Sequence, residues 1–517
     1  MSKTRTELTI VVTLLLLVLL LRLPAFYVPF ENDSGDHAYH AHLILRGEPL
    51  YGEHHPDHHM PGVFYTYALA FALFGESVAA IKGVLLVWIA ATVYLIYRLG
   101  RRVANRRVGV IAAVAAALLF ATWELSAFSA RTELFLVLFD VGAVLLLAGR
   151  LPGGGDYGRF LGIGLLAGLA FLFKANYIIA PAGLVAVALL WDLWMERQWK
   201  AVLGRGATAV LGVVLITVPV FLYFAAVGLL DRFLQVFQIG EKYLTARQHP
   251  LFTGPEHHVL VPLAVLARSN AVLLLLAIAG WLFLPLTRRQ RSHAENGRLA
   301  LLMAWFVLAF VETNVSNSYL QHYYVMFIAP LVLLAAWFVD KLARDVERKW
   351  GQVGETAVIA SLVALVVLIN FLPNFTFYKE FGRYALGQQN YDDFLVNGLP
   401  DGAGMVALEM EDLAAYVQTH TAPDDTIYFW SNFMELYFLA DRHAVIDTIW
   451  PIAVSVTGAD SLKRDQIFNA TLIIIDNYTI VGVETMPDWL AAGLAEKYEL
   501  ASTVDDRLVY RRRDEVN

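Results

Sequence analysis

Long apolar runs separated by short polar segments dominate the first 372 residues of the chain. A membrane-spanning helix needs about 20 mostly apolar residues, and eleven runs approach that length. They lie near residues 8–28, 77–97, 108–123, 133–149, 159–173, 177–195, 207–227, 269–286, 299–313, 323–340 and 356–372. The pattern therefore predicts a polytopic α-helical membrane protein with about eleven transmembrane helices. The apolar stretch at 61–75 is too short to span comfortably, and it predicts an interfacial or re-entrant helix.

After residue 372 the pattern changes to short apolar runs that alternate with helical segments. Residues 426–430 and 471–476 have the continuous apolar character of buried strands. Residues 412–419 and 489–497 have helical patterns. Alternating strands and helices are typical of an α/β domain, and this tail is long enough to bury its own core. We therefore expect a transmembrane body over 1–372 and a small α/β domain over 373–517.

The composition agrees with a membrane protein, because 58% of the residues are hydrophobic and only 16% are charged. Soluble proteins usually carry about 25% charged residues. This balance excludes an ordinary soluble enzyme and a disordered chain, and we expect no nucleic-acid partner. Residues 373–517 are acidic, with 10 Lys/Arg and 23 Asp/Glu. The chain has no Cys, which excludes a disulfide scaffold, a thiolate metal site and a Cys nucleophile.

Lys and Arg are unevenly distributed between alternate loops. With the N-terminus inside, the inner segments hold twenty of them and the outer loops seven. Short loops rich in Lys and Arg stay in the cytoplasm. We therefore expect a multi-pass protein of the inner (plasma) membrane with a cytoplasmic N-terminus. An odd number of spans then makes the C-terminal domain extracytoplasmic. The first apolar run is interpreted as an uncleaved span, because no small-residue cleavage site follows it.

The first outer loop, residues 29–60, holds seven of the fourteen His in the protein. If a helix begins at Asp33, then Asp36, His37 and His40 share its face. Asp33 is therefore either a catalytic base or only the cap of that helix. The His spacing matches no specific zinc signature. We expect no cofactor, while a bound divalent metal and a solvated His-rich loop remain alternatives.

Charged residues also interrupt or flank the apolar runs of the body. Lys174 ends the run at 159–173, so it reaches either lipid phosphates or the phosphate of a lipid-linked substrate. Arg131 and Glu133 lie at the outer end of the fourth predicted span. They either bind phosphate and sugar hydroxyls or form an ion pair that holds the turn. Asp140 lies inside a span, where a carboxyl group needs a hydrogen-bond partner, and a neighbouring helix can supply one.

The segment 33–75 carries an ordered set of features: Asp33-Ser-Gly, Leu45-Arg-Gly47, Pro49-Leu-Tyr51, Asp57-His-His-Met-Pro61 and Leu73-Phe-Gly75. This order resembles the first outer loop of the bacterial family 39 type glycosyltransferases. These enzymes are relatives of the dolichyl-phosphate-mannose–protein mannosyltransferases in the GT-C superfamily. The likeness continues at 129–133, 164–174 and 322–330, and in the tail at 422–430. Two positions depart from the pattern: Ser34 stands where many members have a second acid, and His59 where they have Lys.

The resemblance implies a membrane glycosyltransferase that moves a sugar from a polyprenyl-phosphate donor to an acceptor hydroxyl on the outer face, with inversion. It implies Asp33 as the general base, with Asp36 as the second acid. The candidates for binding the donor phosphate are Lys174, His59, His322 and Arg131, and those for the sugar or acceptor are Glu133, His58 and Tyr323. The implied partners are the polyprenyl-phosphate-linked sugar, a lipid, glycan or protein acceptor, and membrane lipids.

Two other classes of protein compete with this interpretation. A transporter or lipid flippase of cell-envelope precursors needs polar groups at the middle of the membrane, often on broken helices in a repeated architecture. A non-catalytic scaffold or sensor needs only the tail as a binding module. Most of the distinctive polar residues fall in the outer loops and no repeat is visible, so the sequence favours transfer.

Overall fold

A computed structural model describes residues 3–52, 59–149, 156–196, 198–246, 260–315, 320–446, 461–476 and 486–513. The chain divides into two units. The first comprises Met1–Phe26, Lys82–Phe221 and His249–Thr376, and the second comprises Tyr27–Ile81, Leu222–Gln248 and Phe377–Asn517. The first loop thus groups with the C-terminal part of the chain.

Helices make up most of the described chain. Their bounds are α1 (Lys3–Arg22), α2 (Asn32–Leu45), α3 (Pro61–Phe74), α4 (Val78–Val103), α5 (Arg106–Leu119), α6 (Thr132–Ala148), α7 (Tyr157–Phe173), α8 (Ile179–Glu196), α9 (Trp199–Ala226), α10 (Leu230–Ala246), α11 (Leu260–Leu286), α12 (His293–Asn314), α13 (Ile328–Phe371), α14 (Phe375–Ala385), α15 (Tyr391–Gly398), α16 (Ala403–His420), α17 (Glu435–Ala440), α18 (Ser461–Ile467) and α19 (Asp488–Lys497). The strands are β1 (Thr426–Trp430), β2 (His443–Ala444), β3 (Leu472–Ile475), β4 (Tyr498–Val504) and β5 (Arg507–Arg512).

Six helical segments of the described chain are long and apolar enough to cross a membrane. They are Thr4–Tyr27, Val78–Val103, Ala175–Trp194, Trp199–Ala226, His293–Asn314 and Gln321–Ile369. The protein is therefore a polytopic α-helical membrane protein, as the sequence predicted, while the number of about eleven spans stays a prediction. The last segment contains two predicted spans, and α13 breaks between them at Gly351, where φ is 70°. The apolar helix α3 has only 14 residues, which agrees with the short element predicted at 61–75.

Close helix packing in the first unit depends on small residues. A Cβ atom added to Gly164 of α7 would lie 2.0 Å from the carbonyl oxygen of Ala209 in α9. Such an approach leaves no room for a side chain, so only glycine fits at this crossing. Membrane helices commonly pack through small residues in this way, because lipid supplies no hydrophobic drive for helix association.

The second unit contains a mixed five-stranded sheet, ordered β2-β1-β3-β5-β4 in the described residues. Strand β1 pairs in parallel with β2 and β3, whereas β5 runs antiparallel to β3 and β4. Helices α16 and α19 contain the two predicted helical segments at 412–419 and 489–497. The predicted strands at 426–430 and 471–476 correspond to β1 and β3. The expectation of a small C-terminal α/β region is confirmed.

Helix α2 of the first loop is built into the core of this α/β region. Tyr39 and Leu43 of α2 are buried in one cluster with Val417, Phe429 and Leu436. The Tyr39 hydroxyl accepts a hydrogen bond of 3.0 Å from a backbone amide of β2. The division predicted at residue 372 stays a prediction, but the described core of the α/β region includes a helix from before that residue.

Candidate functional site: two polar clusters

Helix α2 begins with a capping box that orders the first acidic residues of the loop. Glu31 is the N-cap, and its carboxylate accepts hydrogen bonds from the backbone amides of Asp33 and Ser34. The Ser34 hydroxyl in turn accepts from the Glu31 amide at 3.1 Å. A capping box satisfies amide groups that otherwise lack partners at a helix start. Glu31 therefore provides the cap, and the interpretation of Asp33 as the capping residue is wrong.

The capping box also accounts for the departure from the family pattern at Ser34. This side chain is fully buried and takes part in the cap, so its role is structural. Asp36 is then the next acid along the helix, one turn after Asp33. Asp33 is half-buried, whereas Asp36 is fully buried.

Asp36 lies among three histidines, which we call the α2 cluster (Asp36, His37, His40, His59). The His40 Nδ1 lies 2.9 Å from the Asp36 carbonyl oxygen and 3.5 Å from its Oδ1. The His59 Nδ1 lies 4.0 Å from Asp36 Oδ2, and the His37 and His59 rings meet edge to face at 5.3 Å. The predicted proximity of Asp36, His37 and His40 is thus present, and His59 joins them, while a place for Asp33 on the same face stays a prediction. The candidate His58 lies outside the described residues.

Part of the α2 cluster has the donor set of a metal site. Asp36, His37 and His59 each offer one ligand atom, and these atoms lie within 4.8 Å of one another. One carboxylate oxygen with two imidazole nitrogens suits zinc or a related divalent metal. These residues fit a metal ion, so the divalent metal considered from the sequence acquires specific candidate ligands.

The C-terminal region contributes an acid to this neighbourhood that the sequence analysis missed. Glu435 opens α17 and is buried, and a Cβ added to Gly35 would lie 2.4 Å from its Cβ. The pKa of Glu435 is raised to about 8, mainly by burial; the charges of Glu31 and Asp33 contribute to the rise, while a backbone hydrogen bond and Arg507 oppose it. The only feature of the sequence that could have drawn attention to Glu435 is its position five residues after the predicted buried strand at 426–430.

A second junction holds the C-terminal end of α2. His42 Nε2 lies 3.0 Å from Asp441 Oδ1, and its Nδ1 contacts the Glu76 carboxylate. Arg46 approaches Asp441 at 2.8 Å. Burial by itself would raise the pKa of Asp441, but Arg46 and His42 outweigh burial and hold it below its usual value. Both ends of α2 are thus anchored by residues of the α/β region.

The other sequence candidates gather in the first unit, in a group that we call the lysine cluster (Lys174, Glu133, Arg131, His322, Tyr323). Lys174 Nζ donates a hydrogen bond of 2.7 Å to Glu133 Oε1. It also lies 3.8 Å from the centroid of the Tyr323 ring, within the range of a cation–π contact. Lys174 therefore has specific protein contacts, and a residue that only reaches out to lipid phosphates would not need them.

Arg131 and His322 complete the lysine cluster. Arg131 is the N-cap residue of α6, and its Nη1 lies 3.1 Å from His322 Nδ1. A guanidinium group can only donate, so this contact requires a neutral His322 nitrogen as the acceptor. The cluster then carries two permanent positive charges and one carboxylate. This balance suits an anion such as a phosphate ester.

Two buried residues of the first unit lie close in the chain to members of the lysine cluster. Tyr177, three residues after Lys174, is buried, and its ring centroid lies 5.5 Å from Lys174 Nζ. The spacing of three residues from Lys174 is the feature of the sequence by which Tyr177 could have been found. Asp140 accepts a hydrogen bond of 3.4 Å from Trp305 of α12. Asp140 therefore has the partner on a neighbouring helix that its position required.

The fold and the two clusters define a class: a polytopic membrane protein with a cationic cluster in its helical body and an acid- and His-rich helix built into a small α/β region. Comparisons with known proteins are consistent with this class. Residues 54–224 match the family model described as dolichyl-phosphate-mannose-protein mannosyltransferase. The match covers the end of the first loop, Arg131, Glu133 and Lys174.

Curated relatives carry a more specific name. An undecaprenyl phosphate-α-4-amino-4-deoxy-L-arabinose arabinosyl transferase of Edwardsiella ictaluri is 23% identical over 301 residues, which are 57% of this chain and 50% of the relative. The enzyme of that name from Pseudomonas paraeruginosa is 29% identical over 283 residues, 52% of this chain and 48% of the relative. The chain thus spans about half the length of the curated relatives that it matches.

Solved structures share the fold over nearly the whole chain. ArnT from Cupriavidus metallidurans bound to undecaprenyl phosphate has a TM-score of 0.62 and 14% identity, with 98% of each chain covered. The oligosaccharyltransferase AglB from Archaeoglobus fulgidus, in complex with an inhibitory peptide and a dolichol-phosphate, has a TM-score of 0.55 and 15% identity. That match covers all of this chain and 75% of AglB. The matches confirm the resemblance to the GT-C superfamily, and the chain is a multi-pass protein of the inner membrane.

Proposed function

We propose that this protein transfers a sugar from a polyprenyl-phosphate donor to an acceptor hydroxyl on the outer face of the inner membrane. The observation that carries the proposal is the lysine cluster, in which Lys174 and Arg131 exceed the single carboxylate of Glu133 in charge. A leaving polyprenyl phosphate is an anion, and fixed cations lower the energy of the transition state in which its charge develops. The shared fold with ArnT bound to undecaprenyl phosphate supports the same donor class.

Transfer also needs a carboxylate that takes the proton of the attacking hydroxyl. Asp33 is the base that we propose, because its carboxylate is not needed for the cap and remains half-buried on α2. Asp36 is the second acid. A base and a departing phosphate on opposite faces of the sugar, as in inverting glycosidases, invert the anomeric carbon.

The remaining candidates take supporting roles in this proposal. His322 and Arg131 contact the donor phosphate, and Tyr323 contacts the sugar or acceptor, as does His58. Glu133 holds Lys174 in place and is available to sugar hydroxyls. His59 lies in the α2 cluster beside Asp36, and it adds positive charge to phosphate binding only when its ring is protonated.

The substrate in the relatives' name, undecaprenyl phosphate-α-4-amino-4-deoxy-L-arabinose, makes a pentosyl donor the first to test. The acceptor is a lipid, glycan or protein hydroxyl. Purified protein is incubated with a panel of polyprenyl-phosphate sugars, and products are identified by mass spectrometry. Appearance of free polyprenyl phosphate together with a glycosylated acceptor is the expected result. Passage of an intact lipid-linked sugar across a vesicle membrane, without cleavage, would favour the flippase alternative instead.

The proposed orientation has the N-terminus in the cytoplasm and residues 373–517 outside, from the twenty-to-seven bias of Lys and Arg. Reporter fusions after Asn374 test it, using one reporter that is active only outside and one active only inside. Activity of the inside reporter would refute both the topology and the outer-face reaction. We further propose that the reaction needs no metal. Because Asp36, His37 and His59 could hold a divalent ion, the effect of a chelator on transfer tests this proposal.

A further inference from the structure

A groove in the first unit is lined mainly by α1 and α4, which contribute no residue to the lysine cluster. It runs between the start of α1 and the second half of α4, with a volume of about 880 Å³. Its apolar part is lined by Leu8, Val11, Leu15, Val87, Ala91 and Leu145. Leu8 and Val87 are 64% and 70% exposed, so the apolar part of the groove opens toward the surroundings of the protein. In a membrane protein, those surroundings are lipid.

The groove has the length of one membrane leaflet. Its lining on α4 runs from Val87 to Arg102, and the arginines begin at Arg98. Val87 and Arg98 are eleven positions apart on the helix, which is roughly 16 Å at 1.5 Å per residue. The hydrocarbon core of a bilayer is about 30 Å thick. An acyl chain of one leaflet therefore matches the apolar part, with its headgroup at the arginines.

The polar end of the groove has an excess of positive charge. Arg101 is neutralised by Glu7 at 2.5 Å. Arg98 donates instead to the Tyr94 hydroxyl at 2.9 Å, and Arg102 donates to the Gly149 carbonyl at 3.2 Å. Within the part of the chain that the structure describes, neither Arg98 nor Arg102 forms an ion pair with a carboxylate.

Neighbouring arginines add to this excess. Arg159 lies beside Arg102, since both guanidinium groups would contact a Cβ atom added to Gly149. Arg298 donates to the Arg102 carbonyl at 2.6 Å. Of these residues Arg159 has an acidic partner, Asp156 at 3.2 Å.

Other arginines of the helical body are paired differently. Arg205 lies 2.9 Å from Asp192, and Arg344 lies 2.5 Å from Asp340. A general need for basic inner loops explains why arginines occur on this face. That need does not explain why Arg98 and Arg102, at the end of an apolar groove, donate to a hydroxyl and a carbonyl oxygen and not to carboxylates. Basic pockets beside membrane helices are typical binding sites for anionic lipid headgroups.

We propose that this groove binds an anionic glycerophospholipid, with its phosphate between Arg98 and Arg102 and one acyl chain along Leu8 and Val87. The site does not depend on the proposed transfer reaction. The occupant is a lipid of the surrounding leaflet, because the groove is open along its apolar length and a free phosphate would leave that length uncovered.

The test uses the full-length protein, purified and delipidated in detergent, with thermal unfolding as the readout. Phosphatidylglycerol should raise the unfolding midpoint by about 3 °C or more. Phosphatidylcholine and inorganic phosphate should not. Native mass spectrometry of gently purified protein should show one retained anionic phospholipid.

Two variants and one control separate the groove from general charge. Arg98→Gln/Arg102→Gln should abolish the phosphatidylglycerol shift, and Ala91→Phe, which fills the groove with all arginines kept, should abolish it too. Arg288→Gln/Arg289→Gln removes two exposed arginines elsewhere and should keep the full shift. Equal shifts with both lipids, with inorganic phosphate alone, or in the filled variant would overturn the proposal. Preferential retention of a polyprenyl phosphate instead would also overturn it.

Discussion

Replacing Lys174 by Met removes one partner of a buried ion pair and leaves the other in place. The Glu133 side chain is 4% exposed, and the Lys174 side chain is 24% exposed. Removing one partner of a buried pair costs about 3–5 kcal/mol of the free energy of unfolding, because the remaining charge has no compensation. Since Lys174 is partly exposed, we expect the lower end, about 3 kcal/mol. A loss of transfer in Lys174→Met alone would therefore mix instability with lost phosphate binding.

A double-mutant cycle separates the two effects. Glu133→Leu leaves a lysine that still reaches water, so it should cost only about 1 kcal/mol. The double variant Lys174→Met/Glu133→Leu replaces the pair by apolar side chains, and such replacements are often close to neutral. Its free energy of unfolding, measured by SDS titration, should lie within about 1 kcal/mol of the wild type. The coupling free energy is then about 4 kcal/mol.

The function of Lys174 is decided by comparing that stable double variant with Glu133→Leu alone, because Glu133 is itself available to sugar hydroxyls. If Lys174 binds the donor phosphate, transfer in the double variant should stay at least about tenfold below transfer in Glu133→Leu although stability has returned, since a charge-assisted contact contributes about 1.5–3 kcal/mol. The control is Lys341→Met, which removes the more exposed pair with Asp345 and should cost under about 1 kcal/mol. Additive single effects would refute the buried-pair reasoning, and full transfer in the double variant would refute phosphate binding.

Three further predictions concern α2 and its neighbours. Asp33→Asn should fold and bind donor but lose turnover by about 10²–10⁴-fold, with Asp36→Asn costing less; the reverse order would move the base to Asp36. EDTA should leave transfer unchanged; loss of activity that one divalent metal restores would refute the metal-free reaction and implicate Asp36, His37 and His59. Because the pKa of Glu435 is raised to about 8, its contribution to stability is complete below about pH 4.5 and is lost as the pH rises through 8. Glu435→Gln should flatten this fall in the unfolding midpoint; an unchanged pH profile would contradict it.

The sequence predicted what depends on local pattern. Runs of apolar residues identified the membrane helices, and the uninterrupted Thr471–Ile475 segment identified the central strand β3. The sequence also predicted that Asp36 and His40 share one face of α2, because residues four positions apart in a helix lie on the same side.

What the sequence left undecided depends on contacts between distant residues. Asp is a favoured N-cap residue and Glu is not, so the sequence pointed to Asp33, and only the finished helix shows that Glu31 takes the role. Lys174 and Glu133 are 41 residues apart, so no spacing rule links them. Glu435 was missed because nothing near it in the chain reveals that it packs against Gly35.

The hydrogen bond between Tyr39 and Ala444 joins residues that are 405 positions apart, and this separation has a consequence for biosynthesis. At about 5–20 residues per second, a ribosome needs roughly 20–80 s to make the intervening chain. During that interval α2 has left the ribosome but lacks the strands and helices that bury Tyr39 and Leu43. The proposed catalytic base therefore acquires its setting only after residue 444 has been made, so a nascent or truncated chain that ends before it should be inert toward its donor.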